Sequence, residues 1–327
     1  MLAAWYEEQG PAAEVFRYGE QPEPTPGPGE VRVRMRISAA NPSDWKNRKG
    51  GGGRALFAPL IIPHSDGAGD IDAVGEGVPA SRVGERVWIW NGQWRRAFGT
   101  AAQYIALPSA QAVRLPDNVD YAQGACLGIP AFTAMQAVRL AEVGAGSTVL
   151  VQGGAGAVGQ CAIQLAKARG ARVIATVSSA DKARHAGAAG ADHTIDYRTV
   201  DLGQRVSELT GGRGVDAIVE VNFTANAARY PGLLRPHGTV VIYGITGVEA
   251  TLPALWAMQT SAVLRFFMIY DISPADRTAA LDELQQWLAA GRLRLPVALQ
   301  LPLSEAARAH DLVEEGRQVG TVQLLIP

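Results

Sequence analysis

Cysteine is scarce in this chain, and its scarcity excludes two ways of stabilising a fold. Only Cys126 and Cys161 occur among the 327 residues. Two isolated cysteines cannot form a disulfide framework, and a structural zinc site usually needs four ligands. We therefore interpret both cysteines as small buried apolar side chains.

An excess of charge and a long apolar run are also absent. The formal net charge is −1, so no surplus of positive charge points to nucleic acid or to a membrane surface. No apolar run is long enough to span a bilayer. The first residues lack the basic and apolar regions of a signal peptide, so we expect a cytoplasmic location. Composition and length together indicate a globular protein of two domains.

Glycine, by contrast, is abundant, and one glycine pattern is typical of a ligand site. Residues 149–151 form a short apolar run that suits a buried strand. Gly154, Gly156 and Gly159 come next with the spacing G-x-G-x-x-G, and apolar residues at helical spacing come after them. A second apolar run covers residues 172–177. Because the glycines lie between a strand and a helix, they indicate the phosphate-binding turn of a dinucleotide site rather than an ordinary turn.

The residues after the second apolar run favour NADPH over NADH. A site for NAD usually places Asp or Glu at this point, where the carboxylate binds the ribose 2′-hydroxyl. Here the run continues into Ser178 and Ser179, and no acid occurs before Asp181. A carboxylate would repel a 2′-phosphate, whereas two hydroxyl groups can form hydrogen bonds with it. The sequence therefore predicts NADPH as the cofactor.

Short strands dominate the first third of the chain, and helices alternate with strands in the rest. Residues 31–37 alternate apolar side chains with arginines, which predicts a strand with one buried face. The proline-rich segment 20–30 is predicted to be a surface connection, and the four glycines at 50–53 a mobile loop. From about residue 121, repeated β–α alternation, including a helix over 225–234, predicts a parallel sheet with helices on both faces.

Several motifs together resemble those of the medium-chain dehydrogenase/reductases, and within them those of the zeta-crystallin-type quinone oxidoreductases. The matching stretches are Asn41-Pro42-Ser43-Asp44, residues 67–69 through 84–87, residues 128–134, residues 152–159 and the final residues 324–327. The resemblance covers essentially the whole chain. It implies an α/β protein: a Rossmann domain with a doubly wound parallel sheet over residues 122–262, and a GroES-like β-rich catalytic domain formed by residues 1–121 with 263–327.

The same resemblance implies how cofactor and subunits bind. The nicotinamide is expected in the cleft between the domains, and a homodimer is expected to form through the last Rossmann strand, about residues 262–269. Lys182 holds the family's phosphate-binding position, Tyr197 matches a residue beside the adenosine, and Arg317 lies where relatives return an arginine to the phosphate. The predicted cofactor contacts are Asn41, Lys46, Thr133, Gly153, Gly154, Ala155, Gly156, Ala157, Val158, Gly159, Ser178, Ser179, Lys182, Tyr197, Asn222, Phe223, Gly244, Ile245, Thr246, Phe267, Met268 and Arg317.

No metal is expected at the reacting centre. The zinc-dependent branch of the family uses a cysteine, a histidine and a second cysteine as ligands, and these positions hold Asn41, Ser65 and Ile129 here. Isoleucine cannot ligate a metal, and the family's four-cysteine structural lobe is absent. His64 lies one residue from the second position, where we interpret it as a surface or hydrogen-bonding residue. Hydride transfer is therefore expected to proceed without a Lewis-acid metal.

The predicted catalytic residues are Asn41, Asp44 and Lys46. Asn41 and Thr133 hold positions that the family uses near the nicotinamide, and Thr133 also suits a helix N-cap. Many relatives carry a tyrosine where this chain has Lys46. The lysine either places a positive charge near a developing oxyanion or extends into solvent. Lys46, Asp44 and water remain open as the proton donor.

The sequence leaves three hypotheses about function. A metal-free nicotinamide site suits acceptors whose negative charge delocalises onto oxygen, so the first is reduction of a quinone. The second is reduction of the double bond of an enone or alkenal. The third is a non-enzymatic role, since zeta-crystallin relatives include lens structural proteins and some bind RNA. The absence of a basic stripe weighs against RNA, so we expect a small-molecule quinone or enone substrate and no nucleic-acid or membrane partner.

Overall fold

A computed structural model describes residues 1–50 and 55–327 of the chain. The first elements are β1 (Leu2–Trp5), α1 (Ala12–Val15), β2 (Arg17–Glu20), β3 (Glu30–Ala40), α2 (Pro42–Lys49), β4 (Asp66–Val74), β5 (Arg86–Ile89), β6 (Tyr104–Pro108), β7 (Ala112–Arg114) and α3 (Tyr121–Gly124). The next are α4 (Phe132–Leu140), β8 (Thr148–Val151), α5 (Ala157–Ala168), β9 (Arg172–Val177), α6 (Ala180–Ala188), β10 (His193–Asp196), α7 (Leu202–Thr210), β11 (Val215–Glu220), α8 (Phe223–Asn226), β12 (Leu234–Ile242), α9 (Ala254–Thr260), β13 (Val263–Phe266) and α10 (Pro274–Ala289). The last are β14 (Val297–Pro302), α11 (Ala306–Glu315) and β15 (Thr321–Leu325).

The described chain divides into two compact units. Unit 1 comprises Met1–Ile129 with Gln285–Pro327, and unit 2 comprises Pro130–Leu284. The second boundary falls inside α10, between Leu284 and Gln285. Just before it, Glu283 forms an ion pair with Arg169 (2.5 Å), and both residues belong to unit 2. Both boundaries lie later along the chain than the ones that the family resemblance implies. Across the described residues, no helix has both the length and the apolar character needed to cross a bilayer.

Unit 2 is built on a six-stranded sheet in which every neighbouring pair of strands is parallel. The strand order is β10-β9-β8-β11-β12-β13, so the chain builds outward from β8 in one direction and then from β11 in the other. This is the doubly wound Rossmann order, and it confirms the fold predicted from the β–α alternation. In such sheets a ligand binds outside the carboxyl ends of the strands where the order reverses, which here means the ends of β8 and β11.

Unit 1 is rich in β-structure, as its GroES-like pattern predicts. Its sheet has the order β14-β15-β3-β4-β5-β7, and β6 pairs with β3 as well. All of these pairs are antiparallel except β14 with β15. In β3, Val31, Val33 and Met35 are buried, whereas Arg34 and Arg36 are exposed. The predicted alternation of faces in this strand is therefore confirmed.

Some elements differ from the sequence-based prediction. Strand β14 (Val297–Pro302) is not among the elements predicted from the sequence. Three consecutive residues of this strand are exposed, so it lacks the alternation of buried and exposed side chains that would have indicated a strand. The helix predicted over 225–234 is instead α8, a 3₁₀ helix over Ala227–Gly232 that contains Pro231, and the start of β12. Proline cannot donate an i→i−4 hydrogen bond, so an α-helix does not continue through it. The mobile loop predicted over residues 50–53 is described only at its first residue. Gly50 is the C-cap of α2 and has a left-handed conformation, and residues 51–53 lie outside the described residues.

Candidate functional site

The glycine turn of unit 2 joins β8 to α5 and has no room for a side chain at two positions. A Cβ on Gly159 would lie 2.3 Å from the carbonyl oxygen of Gly153, and a Cβ on Gly154 would lie 2.6 Å from the Cβ of Ala175. Gly156 is different, because a Cβ there would approach only the carbonyl oxygen of Gly153, at 3.4 Å. The space beside Gly156 is therefore open on the protein side, as the close approach of a pyrophosphate requires.

Side chains from the neighbouring strand hold this turn in place. The hydroxyl of Thr176 accepts a hydrogen bond from the Gly153 N–H (3.0 Å) and donates one to Gln152 Oε1 (2.9 Å). The Gly154 N–H donates to the carbonyl oxygen of Thr176 (2.9 Å). Neither Gln152 nor Thr176 is among the cofactor contacts predicted from the sequence. Their contacts fix the turn in advance, which lowers the entropy that a ligand loses on binding.

The first turn of α5 completes a cradle for an anion. Gly156 is the N-cap, and no side chain caps the helix. The N–H groups at the start of a helix, here those of Ala157 and Val158, have no acceptor inside the helix. Together with the positive end of the helix dipole they suit a phosphate group. The structure thus brings the predicted residues from Gly153 to Gly159 into one cradle that fits a pyrophosphate.

The end of β9 lies beside this cradle and offers hydroxyl groups and a cation. Ser179 is the N-cap of α6, and its hydroxyl accepts a hydrogen bond from the Lys182 N–H (3.2 Å). Ser178 and Lys182 are half-buried, and Tyr197, which comes directly after β10, is 45% exposed. Arg317 belongs to unit 1, where it is exposed and lies 3.7 Å from Glu315, so its role at the phosphate stays a prediction.

The loops after β11 and β12 pack against each other at the same edge of the sheet. The hydroxyl of Thr246 donates to Asn222 Oδ1 (2.9 Å), and the Phe223 N–H donates to the carbonyl oxygen of Gly244 (3.0 Å). Glu220, which the sequence did not single out, is buried at the end of β11 and accepts a hydrogen bond from the Asn222 N–H (2.6 Å). The remaining predicted residues at this edge come after β12 and β13: Ile245, Phe267 and Met268.

Thr133 is a buried hydroxyl in the first turn of α4. It is 4% exposed, and its Oγ1 makes no hydrogen bond within the described part of the chain. The N-cap of this helix is Ala131, so the capping role considered for Thr133 is wrong. A buried polar group without a partner costs free energy, and a hydrogen bond from a bound ligand would remove that cost. Thr133 therefore fits the cofactor contact that its position implies.

Asn41 stands between β3 and α2 in unit 1 and is held by two buried carboxyl groups. Its N–H donates to Asp44 Oδ2 (2.7 Å), which forms part of a capping box at the start of α2. Its Nδ2 donates to Asp66 Oδ2 (2.8 Å). Burial raises the pKa of Asp44 to about 7, so this carboxyl can carry a proton near neutral pH.

Asp66 is a site residue that the sequence did not reveal. Its Oδ2 also accepts a hydrogen bond from the Ile129 N–H (3.0 Å), whereas its Oδ1 is buried and has no partner among the described residues. Burial raises the pKa of Asp66 well above its usual value. A Cβ on Gly128 would lie 2.3 Å from Oδ1, so a glycine is needed there. Asp70 and Asp72 follow Asp66 in the same strand, so nothing in the local sequence distinguishes Asp66 from them.

This group of side chains does not match a catalytic zinc site. Zinc prefers thiolate and imidazole ligands beside carboxylates. Here Asn41 contributes an amide that donates to Asp66, and Ile129 contributes only a backbone N–H. Within residues 1–50 and 55–327, no cluster of three or more His, Cys, Asp or Glu side chains is arranged to hold a metal ion.

A chain of buried hydrogen bonds starts at Arg48 of α2 and crosses unit 1. Arg48 Nε donates to His310 Nδ1 (3.3 Å), and His310 Nε2 lies 3.0 Å from His64 Nε2. His64 Nδ1 lies 2.8 Å from the hydroxyl of Ser38. Since a guanidinium group only donates, His310 must carry its proton on Nε2 and donate to His64, which in turn donates from Nδ1 to Ser38.

The same chain ends beneath Asn41. The hydroxyl of Ser38 lies 2.8 Å from that of Thr100, which donates to the carbonyl oxygen of Asp66 (2.6 Å). Burial lowers the pKa of both imidazoles, that of His64 to about 3, so both are neutral near pH 7. His64 is thus a buried hydrogen-bonding residue, one of the two roles considered for it. The chain supports the backbone of the residue whose carboxyl group holds Asn41.

Two family models match the chain, one within unit 1 and the other mostly within unit 2. The alcohol dehydrogenase GroES-like domain matches residues 27–117, and the zinc-binding dehydrogenase model matches residues 157–286. A quinone oxidoreductase from Pseudomonas aeruginosa is 33% identical over 268 residues, which are 80% of this chain and 81% of that protein.

Solved structures are similar to this chain over nearly its whole length. An NAD-dependent alcohol dehydrogenase is 32% identical, with a TM-score of 0.90 and 100% of both chains covered. The Escherichia coli quinone oxidoreductase complexed with NADPH is 27% identical, with a TM-score of 0.88, and the match covers 99% of this chain and 100% of that one. The chain therefore belongs to the zeta-crystallin-type quinone oxidoreductases of the medium-chain dehydrogenase/reductase superfamily.

Proposed function

We propose that this protein is an NADPH-dependent oxidoreductase that reduces quinones without a catalytic metal. The observation that carries the proposal is the glycine cradle of unit 2, whose adjoining strand is followed by Ser178 and Ser179, with no carboxylate before Asp181 and with Lys182 in the first turn of α6. Relatives that reduce quinones, one of them solved with NADPH, support the acceptor and the cofactor.

NADPH supplies a hydride when bound, and the quinone becomes a hydroquinone by taking up that hydride and one proton. The residues of the chain bind and orient. The first turn of α5 would hold the pyrophosphate, and the unpartnered hydroxyl of Thr133 would form a hydrogen bond with the nicotinamide portion. Asn41 keeps one orientation because Asp66 accepts from its amide. The proton comes from Asp44, Lys46 or water.

The test is a steady-state assay of the purified protein with NADPH and 9,10-phenanthrenequinone. We expect NADPH oxidation with the quinone and no oxidation of ethanol with NADP⁺. Faster turnover of an enone than of any quinone would favour double-bond reduction instead. Rapid ethanol oxidation, or no NADPH turnover with either acceptor, would contradict the proposal.

Zinc content is predicted separately. Because Asn41, Ser65 and Ile129 occupy the ligand positions of the zinc-dependent branch, elemental analysis of active protein should find no stoichiometric zinc. Prolonged treatment with a chelator should leave quinone turnover unchanged. One zinc ion per chain together with loss of turnover on chelation would show that this prediction is wrong.

Replacing Lys182 should weaken the preference for NADPH. Lys182→Ala removes the cation beside Ser178 and Ser179, and a charge–phosphate contact is worth about tenfold in affinity or more. We therefore expect the KM for NADPH to rise about tenfold, with little change in the KM for NADH. Arg184→Ala, which removes an exposed cation two residues along the same helix, is the control. Equal effects of Lys182→Ala on the two cofactors would refute a 2′-phosphate contact.

We also propose a homodimer formed through β13. This strand is the edge of the Rossmann sheet, and its Val263 and Phe266 are 39% and 60% exposed. Leu255 and Met258 of the preceding helix are exposed as well. An apolar edge strand favours pairing with a second copy. Light scattering that gives the mass of one chain at micromolar concentration would rule the dimer out. We further propose that the protein is cytoplasmic, and its near-zero net charge supports the absence of a nucleic-acid partner.

A further inference from the structure

Unit 1 contains a cavity beside α2 that the proposed function does not yet use. Its volume is about 240 Å³. The side chains that give it its character are Tyr6, Lys46, Phe57, Ile61, Trp94 and Arg95. It lies on the helix that Asn41 caps, and Lys46 is the fifth residue of that helix. The cavity is therefore tied to the same element that positions Asn41.

The walls of this cavity suit a planar ring. Phe57 and Trp94 contribute aromatic side chains, and Ile61 and Tyr6 are buried at 2% and 1% exposure. Burial raises the pKa of Tyr6, so its phenol stays protonated and can donate a hydrogen bond. Aromatic walls with a few polar groups are typical of small-molecule sites.

The charges in the cavity have one sign. Lys46 and Arg95 both line it, and none of the described lining residues is acidic. Lys46 is half-buried, and its Nζ lies 5.8 Å from the centre of the Trp45 ring. Arg95 lies over the ring of Trp94, with 5.3 Å between its guanidinium carbon and the ring centre. Two cations in a partly enclosed space favour a ligand with negative charge.

We propose that this cavity binds the quinone and that the protein selects planar quinones bearing a carboxylate or sulfonate group, which Lys46 and Arg95 recognise. The inference rests on the proposed function, because it identifies the class of acceptor that the same reaction uses. It also explains why a lysine stands where many relatives have a tyrosine: the cation binds the acidic substituent, while the ring occupies the space between Trp94 and Phe57.

The test compares two probes that differ only in charge, anthraquinone-2-carboxylate and anthraquinone-2-carboxamide. Quenching of tryptophan fluorescence gives the dissociation constant of each in the absence of NADPH. We expect the protein to bind the carboxylate about tenfold more tightly than the amide, as for one charge-assisted contact. Lys46→Met and Arg95→Met should each remove most of this preference and leave the affinity for the amide within about twofold.

Lys49→Met is the matched control, because Lys49 is on the same helix but is exposed and paired with Glu314 outside the cavity. It should keep the preference for the carboxylate. Equal affinity of the unmutated protein for the two probes, or equal loss of the preference in Lys49→Met, would overturn the inference. Reduction of uncharged 9,10-phenanthrenequinone by NADPH separates the two claims. If that reduction occurs without a preference for the anion, only this inference fails; if it is absent, the proposed function fails and the cavity loses its assignment as a substrate site.

Discussion

Gly156→Ala should weaken NADPH binding by roughly 10- to 100-fold while the protein stays folded. The new methyl group meets only one protein atom outside its neighbours, at 3.4 Å, so the turn can accept it. It would occupy the space where a pyrophosphate approaches the first turn of α5, and charge-assisted hydrogen bonds to that turn would be lost. The dissociation constant for NADPH, measured by fluorescence titration, reports the effect.

The matched control for this prediction is Gly187→Ala. Gly187 lies in α6, and no atom lies within 4 Å of the Cβ that alanine would add. It should leave NADPH affinity unchanged and keep or raise the melting temperature, since alanine is the better helix former. If Gly156→Ala binds NADPH as the unmutated protein does, the pyrophosphate does not lie in this cradle. A melting temperature lowered equally with affinity would point to disruption of the turn instead.

His310→Leu is expected to lower the free energy of unfolding by about 3 kcal/mol. The substitution leaves the Nε–H of Arg48 and the Nε2 of His64 without partners in a fully buried part of unit 1. It also removes the edge-on contact between the imidazole and the ring of Phe16, whose centres lie 4.8 Å apart. Urea denaturation measures the loss.

Two further variants decide whether the hydrogen-bond chain is the cause. His185→Leu changes an exposed histidine of α6 and should alter stability by less than about 0.5 kcal/mol. The double variant His64→Leu/His310→Leu should lose less than the sum of the two single variants, because removing both partners leaves fewer unpaired groups. Additive losses, or a loss near that of the control, would show that the chain contributes little to stability.

The sequence predicted unit 2 well because its signals are local. A buried strand, three glycines at fixed spacing and an amphipathic helix lie within about twenty consecutive residues, and the same β–α alternation recurs along the unit. Ser179 is a cap because helix α6 begins at the next residue. Such features depend on neighbours in the chain, so periodicity and spacing reveal them.

The support beneath Asn41 could not be predicted in the same way. His64 and His310 are 246 residues apart, and their contact exists only because α11 packs against the sheet of unit 1. Tyr6, Lys46 and Trp94 likewise meet only around the cavity. A lone histidine or lysine has many ordinary roles, and nothing local distinguishes these residues from others of their type. Contacts between distant segments decide which role each one takes.

The hydrogen-bond chain has a fixed polarity, and this polarity bears on proton supply. It begins at Arg48, which can only donate, and ends at the carbonyl oxygen of Asp66, which can only accept. Proton hopping along such a chain requires every link to reverse, and neither terminus permits reversal. The chain therefore stores no transferable proton, although it contains two imidazoles. It follows that His64 and His310 hold the structure near Asn41 in place, and that the proton for the quinone must arrive by a different route.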